Sequence, residues 1–302
     1  MTMFIREFFR KAGPVISFEV FPPKADAPVE SVYRTIEALK DLAPDYISVT
    51  YGAGGTSRDR TVEIASRIRN HFGIEALAHL TCRSHTRGEI DDICEELLDE
   101  GVQNILALRG DPQPGEEENP NASFSYACDL VKHLRENHFG NFCIGAAAYP
   151  EGHVECPDPM KDLDFLKAKV DAGVDFLVTQ LFFDNELFYR FRDAAEKRGI
   201  HVPLVAGVFP VLNARQVQRI VSLCGASLPP RFTRIMARYA NSPEALEEAG
   251  VAYATDQVID LLASGVEGIH LYTMNRPGTT RRIMENIALI RKTASPEGRM
   301  NG

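Results

Sequence analysis

Short apolar runs alternate with longer amphipathic segments along the whole chain. The runs cover residues 15–21, 46–52, 76–82, 104–110, 142–149, 176–183, 203–209 and 268–275. Each is apolar or β-branched and bounded by turn residues, as in parallel strands buried on both faces. Between them, apolar positions recur at helical spacing in 29–42, 59–71, 89–100, 125–137, 161–172, 186–198, 214–223 and 245–264. Gly101, Gly173 and Gly265 stand where a helix stops and a strand follows at once. Strict alternation of eight strands with helices predicts an α/β fold, a closed (β/α)8 TIM barrel over residues 1–302 as one domain, rather than an open doubly wound sheet. Residues 227–241 form an extra segment opened by Pro229-Pro230. Residues 112–121 are too polar and proline-rich to pack and predict a loop over the barrel mouth; 295–302 predict a frayed tail.

Composition narrows the class. Lys and Arg number 33 against 42 Asp and Glu, a net charge of −9, with 44% hydrophobic and 25% charged residues. That is ordinary for a globular protein, so global disorder is excluded. An acidic balance argues against a nucleic-acid partner but leaves room for an anionic small ligand in a locally basic pocket. No run reaches ~18 apolar residues, so no membrane span is predicted. Residues 1–10 mix Arg6, Glu7 and Arg10 with aromatics and lack the core of a secretory signal. Six cysteines without a Cys-x-x-Cys pair predict free thiols and a cytoplasmic protein.

In such barrels the chemistry sits at the C-terminal ends of the strands. Glu19, Thr50, His79, Arg109, Asp111, Tyr149, Gln180 and Tyr272 fall there, with Arg276 just beyond. A carboxylate in the apolar run Ile16-Ser17-Phe18-Glu19-Val20 costs several kcal/mol if ionised and unpaired. Burial therefore favours the protonated form of Glu19, a general acid; the alternative is a salt bridge to a rim arginine. Leu108-Arg109-Gly110-Asp111-Pro112 reads either as a surface ion pair in a turn or as a site where Asp111 stabilises positive charge beside an electron-poor ring. The turn Tyr51-Gly52-Ala53-Gly54-Gly55 fits a tight approach to a ligand, but lacks the dinucleotide spacing and the P-loop lysine. His153-Val154-Glu155-Cys156 invites comparison with a zinc deaminase, yet the Pro-Cys-x-x-Cys partner is missing, and no metal is expected. No Gly-x-Ser-x-Gly elbow is present. Phe182, Phe183 and Phe209 read as a flat-ligand pocket or as core.

Seven motifs in order, each at a predicted strand end, resemble the methylenetetrahydrofolate reductase family in its bacterial, single-domain form. They are Ser17-Phe18-Glu19-Val20-Phe21-Pro22-Pro23, Val49-Thr50-Tyr51-Gly52-Ala53-Gly54-Gly55, Ala78-His79-Leu80-Thr81-Cys82, Leu108-Arg109-Gly110-Asp111-Pro112, Ala147-Ala148-Tyr149-Pro150-Glu151, Thr179-Gln180-Leu181-Phe182-Phe183-Asp184 and Leu271-Tyr272-Thr273-Met274-Asn275-Arg276. The resemblance implies an FAD-binding barrel that uses NADH or NADPH to convert 5,10-methylenetetrahydrofolate to 5-methyltetrahydrofolate by ping-pong hydride transfer, in one-carbon metabolism and methionine supply. It implies small-molecule substrates and a homo-oligomer, without the regulatory domain of longer relatives.

By the same resemblance Glu19 is the general acid and Asp111 the cation stabiliser. Thr50, His79, Leu108, Arg109, Gly110, Asp111, Tyr126, Ala127, Ala147, Tyr149, His153, Asp162 and Lys169 contact FAD. Arg109 and Lys169 are the partners for its phosphates by charge. Glu19, Asp111, Gln180, Gln216, Tyr272 and Arg276 line the substrate side. Ile220 stands where the family is usually aromatic, Val154 and Cys156 replace a more usual Pro and Ala, and Phe165 replaces a polar residue. These departures are expected to modulate affinity rather than abolish the chemistry. Two competing classes are a barrel lyase or methyltransferase without flavin, which predicts a colourless protein, and a non-catalytic binding relative, which the joint presence of Glu19 and Asp111 argues against.

Overall fold

The computed structural model describes residues 3–11, 13–23, 27–51, 57–111, 119–137 and 140–294, with the backbone alone at 57–59, 214, 218, 219, 222, 223 and 294. Eight parallel strands close into a barrel in sequence order, the last pairing with the first. They are β1 (Val15–Val20), β2 (Tyr46–Val49), β3 (Glu75–Thr81), β4 (Asn104–Leu108), β5 (Cys143–Ala148), β6 (Phe176–Thr179), β7 (Leu204–Val208) and β8 (Gly268–Tyr272). The helices that wrap it are α1 (Glu30–Lys40), α2 (Ser57–Asn70), α3 (Arg87–Asp99), α4 (Ala127–Asn137), α5 (Pro159–Asp171) and α6 (Asn185–Lys197). Then follow α7 (Ala214–Cys224), α8 (Pro230–Tyr239), α9 (Pro243–Ala263), α10 (Pro277–Asn286) and α11 (Ala288–Ala294).

The closed eight-stranded barrel is the fold the alternation predicts. Helix ends obey local rules: Thr86 and Glu89 form a reciprocal capping box on α3, and Asp158 caps α5 ahead of Pro159. Gly101 and Gly265 follow α3 and α9 at φ of +72° and +75°, the left-handed stop that lets the chain turn into the next strand.

Three features differ from the sequence reading. The strands end up to four residues earlier than the apolar runs: 176–183 is a strand only to Thr179. Leu181, Phe182 and Phe183 are buried all the same, Phe183 by stacking on Phe232 of α8 at 4.4 Å. Their apolarity answers to the helices over the rim, not to the sheet. The segment opened by two prolines is α8, whose Phe232 and Met236 are buried beneath α9 and over the β6–β8 ends. Two helices, α10 and α11, follow β8, where the periodicity names none.

The opposite end of the barrel is plugged. A 3-10 helix, Ile5–Arg10, inserts Ile5 and Phe8 among Tyr46, Leu77, Leu106 and Phe176. The Ile5 amide donates to Asn104 Oδ1 at 2.8 Å, and Arg6 reaches Asp175 at 3.3 Å. With that end closed, a ligand approaches from the C-terminal ends of the strands. The proline-rich segment lies outside the described residues at 112–118, as do the glycine-rich turn at 52–56 and the tail from 295.

Candidate functional site

The barrel interior near its mouth holds a carboxylate between two imidazoles. Glu19 on β1 is 5% exposed, and its Oε2 lies 3.4 Å from Nε2 of both His79 on β3 and His270 on β8. Parallel register explains the convergence: Ser17 aligns with His270 and Glu19 with Tyr272, so alternate residues of two adjacent strands point inward together. Ser17 Oγ and His270 Nδ1 are 2.8 Å apart, which fixes the second imidazole from below. Tyr272 donates its hydroxyl to the Thr179 carbonyl at 2.8 Å, and burial beside Glu19 pushes its pKa well up. No rim arginine pairs with Glu19 among the described residues, so the salt-bridge alternative for this carboxylate is not what the structure adopts.

Burial sets the charge of the nearer imidazole. It lowers the pKa of His79 from the usual 6.5 to about 4, against the pull of the Glu19 carboxylate. Its Nε2 makes no hydrogen bond of good geometry despite the 3.4 Å approach to Glu19. His79 is therefore neutral at physiological pH. A histidine that charges near 6.5 when unfolded but only near 4 when folded binds more protons in the unfolded state across that window. Stability should thus fall as pH drops from 6.5 towards 4, by up to a few kcal/mol from this group. Urea denaturation over that range should show a shallower loss in His79→Gln than in the wild type; equal slopes would remove His79 as the cause.

The next sector of the rim is polar. After β4, Arg109, Gly110 and the exposed Asp111 follow Leu108. Arg109 makes a two-pronged pair with Glu155, Nη1 to Oε2 at 2.6 Å and Nη2 to Oε1 at 2.8 Å. It is not the Arg109–Asp111 surface pair that the turn suggests. The negative charge of Asp111 still reaches Arg109, Tyr149 and Cys224, so it stands near all three. Tyr149 follows β5, edge-on to His153 at 4.7 Å, with its pKa pushed to about 12 mainly by burial. The His153 amide donates to Asp162 on α5 at 3.3 Å. Lys169, two turns on, donates to the Ala147 carbonyl, and burial brings its pKa down to about 8. Tyr126 and Ala127 open α4; Tyr126 is 64% exposed, and Phe165 on α5 is 56% exposed. Thr50 follows β2, its amide donating to the Val20 carbonyl.

On the β6–β8 side the amide of Gln180 donates to the Ala148 carbonyl. Gln216 spends its side-chain oxygen on the Leu212 and Asn213 amides as the α7 capping box. Ile220 is buried with Phe183 and Phe209, and Arg276 is an exposed residue 4.0 Å from Glu247. Phe182 stacks on Phe188 at 5.3 Å, so Phe182 and Phe183 are core.

The structure thus gathers Glu19, His79 and Tyr272 in the barrel. Arg109, Gly110, Asp111, Tyr149, His153, Asp162 and Lys169 lie along one arc of the rim. Sequence reasoning passed over Ser17, His270 and Glu155. The signal for the first two was present: polar residues two apart, Ser17 and Glu19, His270 and Tyr272, in strands otherwise apolar. Among the described residues no cluster of His, Cys, Asp and Glu is arranged to hold a metal ion, no helix is long and apolar enough to cross a membrane, and all six cysteines are free.

A buried acid inside a (β/α)8 barrel, with a polar arc on the C-terminal rim and the other end plugged, defines a barrel protein with a single working face. The methylenetetrahydrofolate reductase family model matches residues 4–288, and the chain belongs to that family. It is 40% identical over 262 residues to the 5,10-methylenetetrahydrofolate reductase of Pectobacterium carotovorum subsp. carotovorum, covering 86% of each. It is 38% identical to that of Escherichia coli (strain K12), again with 86% of each covered. Methylenetetrahydrofolate reductase (NADH) 1 of Arabidopsis thaliana is 35% identical over 95% of this chain, which spans 50% of the plant protein. Among solved structures, an uncharacterized protein from Clostridium thermocellum that binds two copies of 5-methyl-5,6,7,8-tetrahydrofolic acid superposes with a TM-score of 0.62 at 13% identity, covering 96% of this chain and 99% of that one. At that identity the likeness is one of fold.

Proposed function

We propose that this chain reduces 5,10-methylenetetrahydrofolate to 5-methyltetrahydrofolate with NADH or NADPH, through bound FAD and by a ping-pong sequence. Family membership supports the folate reaction; the observation that carries the reading is the buried Glu19 facing the mouth of a barrel plugged at its far end. When bound, FAD supplies a two-electron carrier that takes hydride from the nicotinamide and passes it to the folate. The residues present suit such a group: Arg109 offers a guanidinium fork, Gly110 at φ +89° leaves the strand end without a Cβ, and exposed Tyr126 and Phe165 offer apolar surface. Arg109, Gly110, Tyr149, His153, Asp162 and Lys169 would hold it, with Thr50, His79, Leu108, Tyr126, Ala127 and Ala147 around them.

The chain's own chemistry is then proton and charge management. Glu19 acts as the proton donor to the departing ring nitrogen as the five-membered ring opens to an iminium ion. His270, held by Ser17, and neutral His79 keep that carboxyl in place. Asp111, just past the end of β4, offsets the positive charge that develops on the substrate. Gln180, Gln216, Tyr272 and Arg276 border the space in which pterin and nicotinamide take turns. One shared face for both partners is what makes the sequence ping-pong, since the first must leave before the second stacks.

The test is anaerobic. The FAD-reconstituted protein is reduced with dithionite, freed of excess reductant and mixed with methylenetetrahydrofolate. Rapid return of the oxidised flavin spectrum is expected. Persistent bleaching would mean a different acceptor, and no flavin spectrum at all would favour a barrel lyase or methyltransferase.

A further inference from the structure

Where α6, α8 and α9 meet, the flank of the barrel holds an open cavity of about 430 Å³. It shares no residue with the Glu19 site or with the polar arc of the rim. Its charge is one-sided. Asp184 and Glu186 at the start of α6, with Asp256 and Asp260 on α9, face a single guanidinium, Arg231. Arg231 is already engaged: it pairs with Asp256 at 2.7 Å and lies over the Tyr253 ring at 5.5 Å. Among the described residues no cation pairs with Asp184, Glu186 or Asp260.

Two amide oxygens in the wall carry a second, independent signal. Gln257 is 5% exposed and Asn185 half-buried, and both line the cavity. Their nitrogens are spent. Gln257 Nε2 donates to the Phe182 carbonyl at 2.9 Å, and Asn185 Nδ2 donates to the Gln257 carbonyl at 3.0 Å and to Asp260 at 2.7 Å. Fixing the nitrogens fixes the oxygens, and Gln257 Oε1 and Asn185 Oδ1 are buried with no donor among the described residues. Buried acceptors are almost always matched, so this pair calls for N–H groups from a ligand. The Tyr253 hydroxyl does not serve them, because it donates to the Phe183 carbonyl at 2.6 Å.

We propose that this cavity binds an aliphatic di- or polyamine, whose ammonium groups pair with the α6 and α9 carboxylates and turn N–H donors to the Gln257 and Asn185 oxygens. An ammonium keeps three donors and its charge at neutral pH, its ordinary pKa being about 10.4. One ammonium cannot answer three unpaired carboxylates on two helices, whereas a chain carrying two or three can. The methylene stem between them suits the Tyr253 ring and Pro229 in the wall. A bare metal ion suits the site less: among the described residues no three His, Cys, Asp or Glu side chains are arranged to hold one. The volume falls within the range of ordinary small-molecule sites, about 300–1,000 Å³.

The test is calorimetric titration of the full-length chain with spermidine at fixed ionic strength, with choline and magnesium chloride as comparisons. One spermidine per chain should bind, and choline, which has a cation but no N–H donor, should not. The double variant Glu186→Gln/Asp256→Asn removes two exposed charges isosterically and should weaken spermidine about tenfold. The pair Asp92→Asn/Glu95→Gln removes the same charge from the exposed face of α3 and should leave it unchanged. Gln257→Met keeps the length and charge of the side chain but loses the oxygen, and should weaken spermidine about fivefold. No spermidine binding above matched salt overturns the proposal. So does equal weakening by the α3 pair, which marks diffuse attraction to an acidic protein. Tighter binding of magnesium than of spermidine, lost in the same double variant, makes the site one for a metal and the amine assignment wrong. A folded Gln257→Met that binds spermidine as the wild type does removes the amide oxygen from the site and overturns the arrangement proposed.

Discussion

Glu19→Gln should bind FAD and accept hydride from NADH as the wild type does, and should lose folate reduction by about 10²- to 10⁴-fold, the usual contribution of a positioned general acid. The substitution keeps the volume of a side chain that is 5% exposed and leaves an amide between the two imidazoles, so the packing of β1 against β2 and β8 is undisturbed. Only the transferable proton goes. His79 does not replace it, because with a pKa near 4 it carries no spare proton at neutral pH. Stopped-flow absorbance separates the two halves: flavin bleaching by NADH reads one, and flavin recovery on adding methylenetetrahydrofolate reads the other. If recovery in the variant runs at near wild-type rate, the proton comes from elsewhere and Glu19 is not the acid.

Gly250→Ala should be the most damaging glycine-to-alanine change among the described residues. Gly250 lies in the middle of α9, and a Cβ there would stand 1.8 Å from the carbonyl oxygen of Val211 and 2.9 Å from its carbon. The obstacle is backbone, so no rotamer change relieves it; α9 must part from the segment that leaves β7. That segment and α9 together bury Val211, Phe232, Met236 and Leu246 over the β6–β8 rim. Overpacking commonly costs about 1–3 kcal/mol, and a clash with main chain should lie at or above the top of that range. Gly278→Ala is the control: it sits in α10, nothing lies within 4 Å of its would-be Cβ, and its φ is not positive. There alanine should stabilise by about 0.5–1 kcal/mol. Denaturant midpoints of the two variants should move in opposite directions. A Gly250→Ala protein as stable as the wild type would mean that α9 is not clamped against Val211 as described.

Much of the barrel is visible in the linear order of residues. Strands buried on both faces read as continuous apolar runs, helices between them read by their spacing, and glycine stops such as Gly101 mark the returns. These are local properties, set by what each segment must bury and by backbone conformations only certain residues adopt. The polar residues at the strand ends are visible for the same reason: Glu19 and His79 violate the apolar pattern around them. The ends of the strands are not visible, because apolarity at Leu181, Phe182 and Phe183 reports burial and does not say what does the burying.

What only tertiary structure decides is which polar groups meet. Ser17 and His270 are 253 residues apart, and they touch because ring closure sets β1 beside β8 in one register. Arg109 has Asp111 two positions away, but its guanidinium lies against Glu155, which the segment after β5 brings to the end of β4. The sequence by itself determined the eight strands up to their ends, the eight helical segments read from spacing, the barrel and the identity of the odd carboxylate, since those follow from local burial and turn chemistry. Closure of the barrel determined the partners of Glu19 and of Arg109, since a pairing between distant residues is a property of register and loop path, which no local pattern encodes.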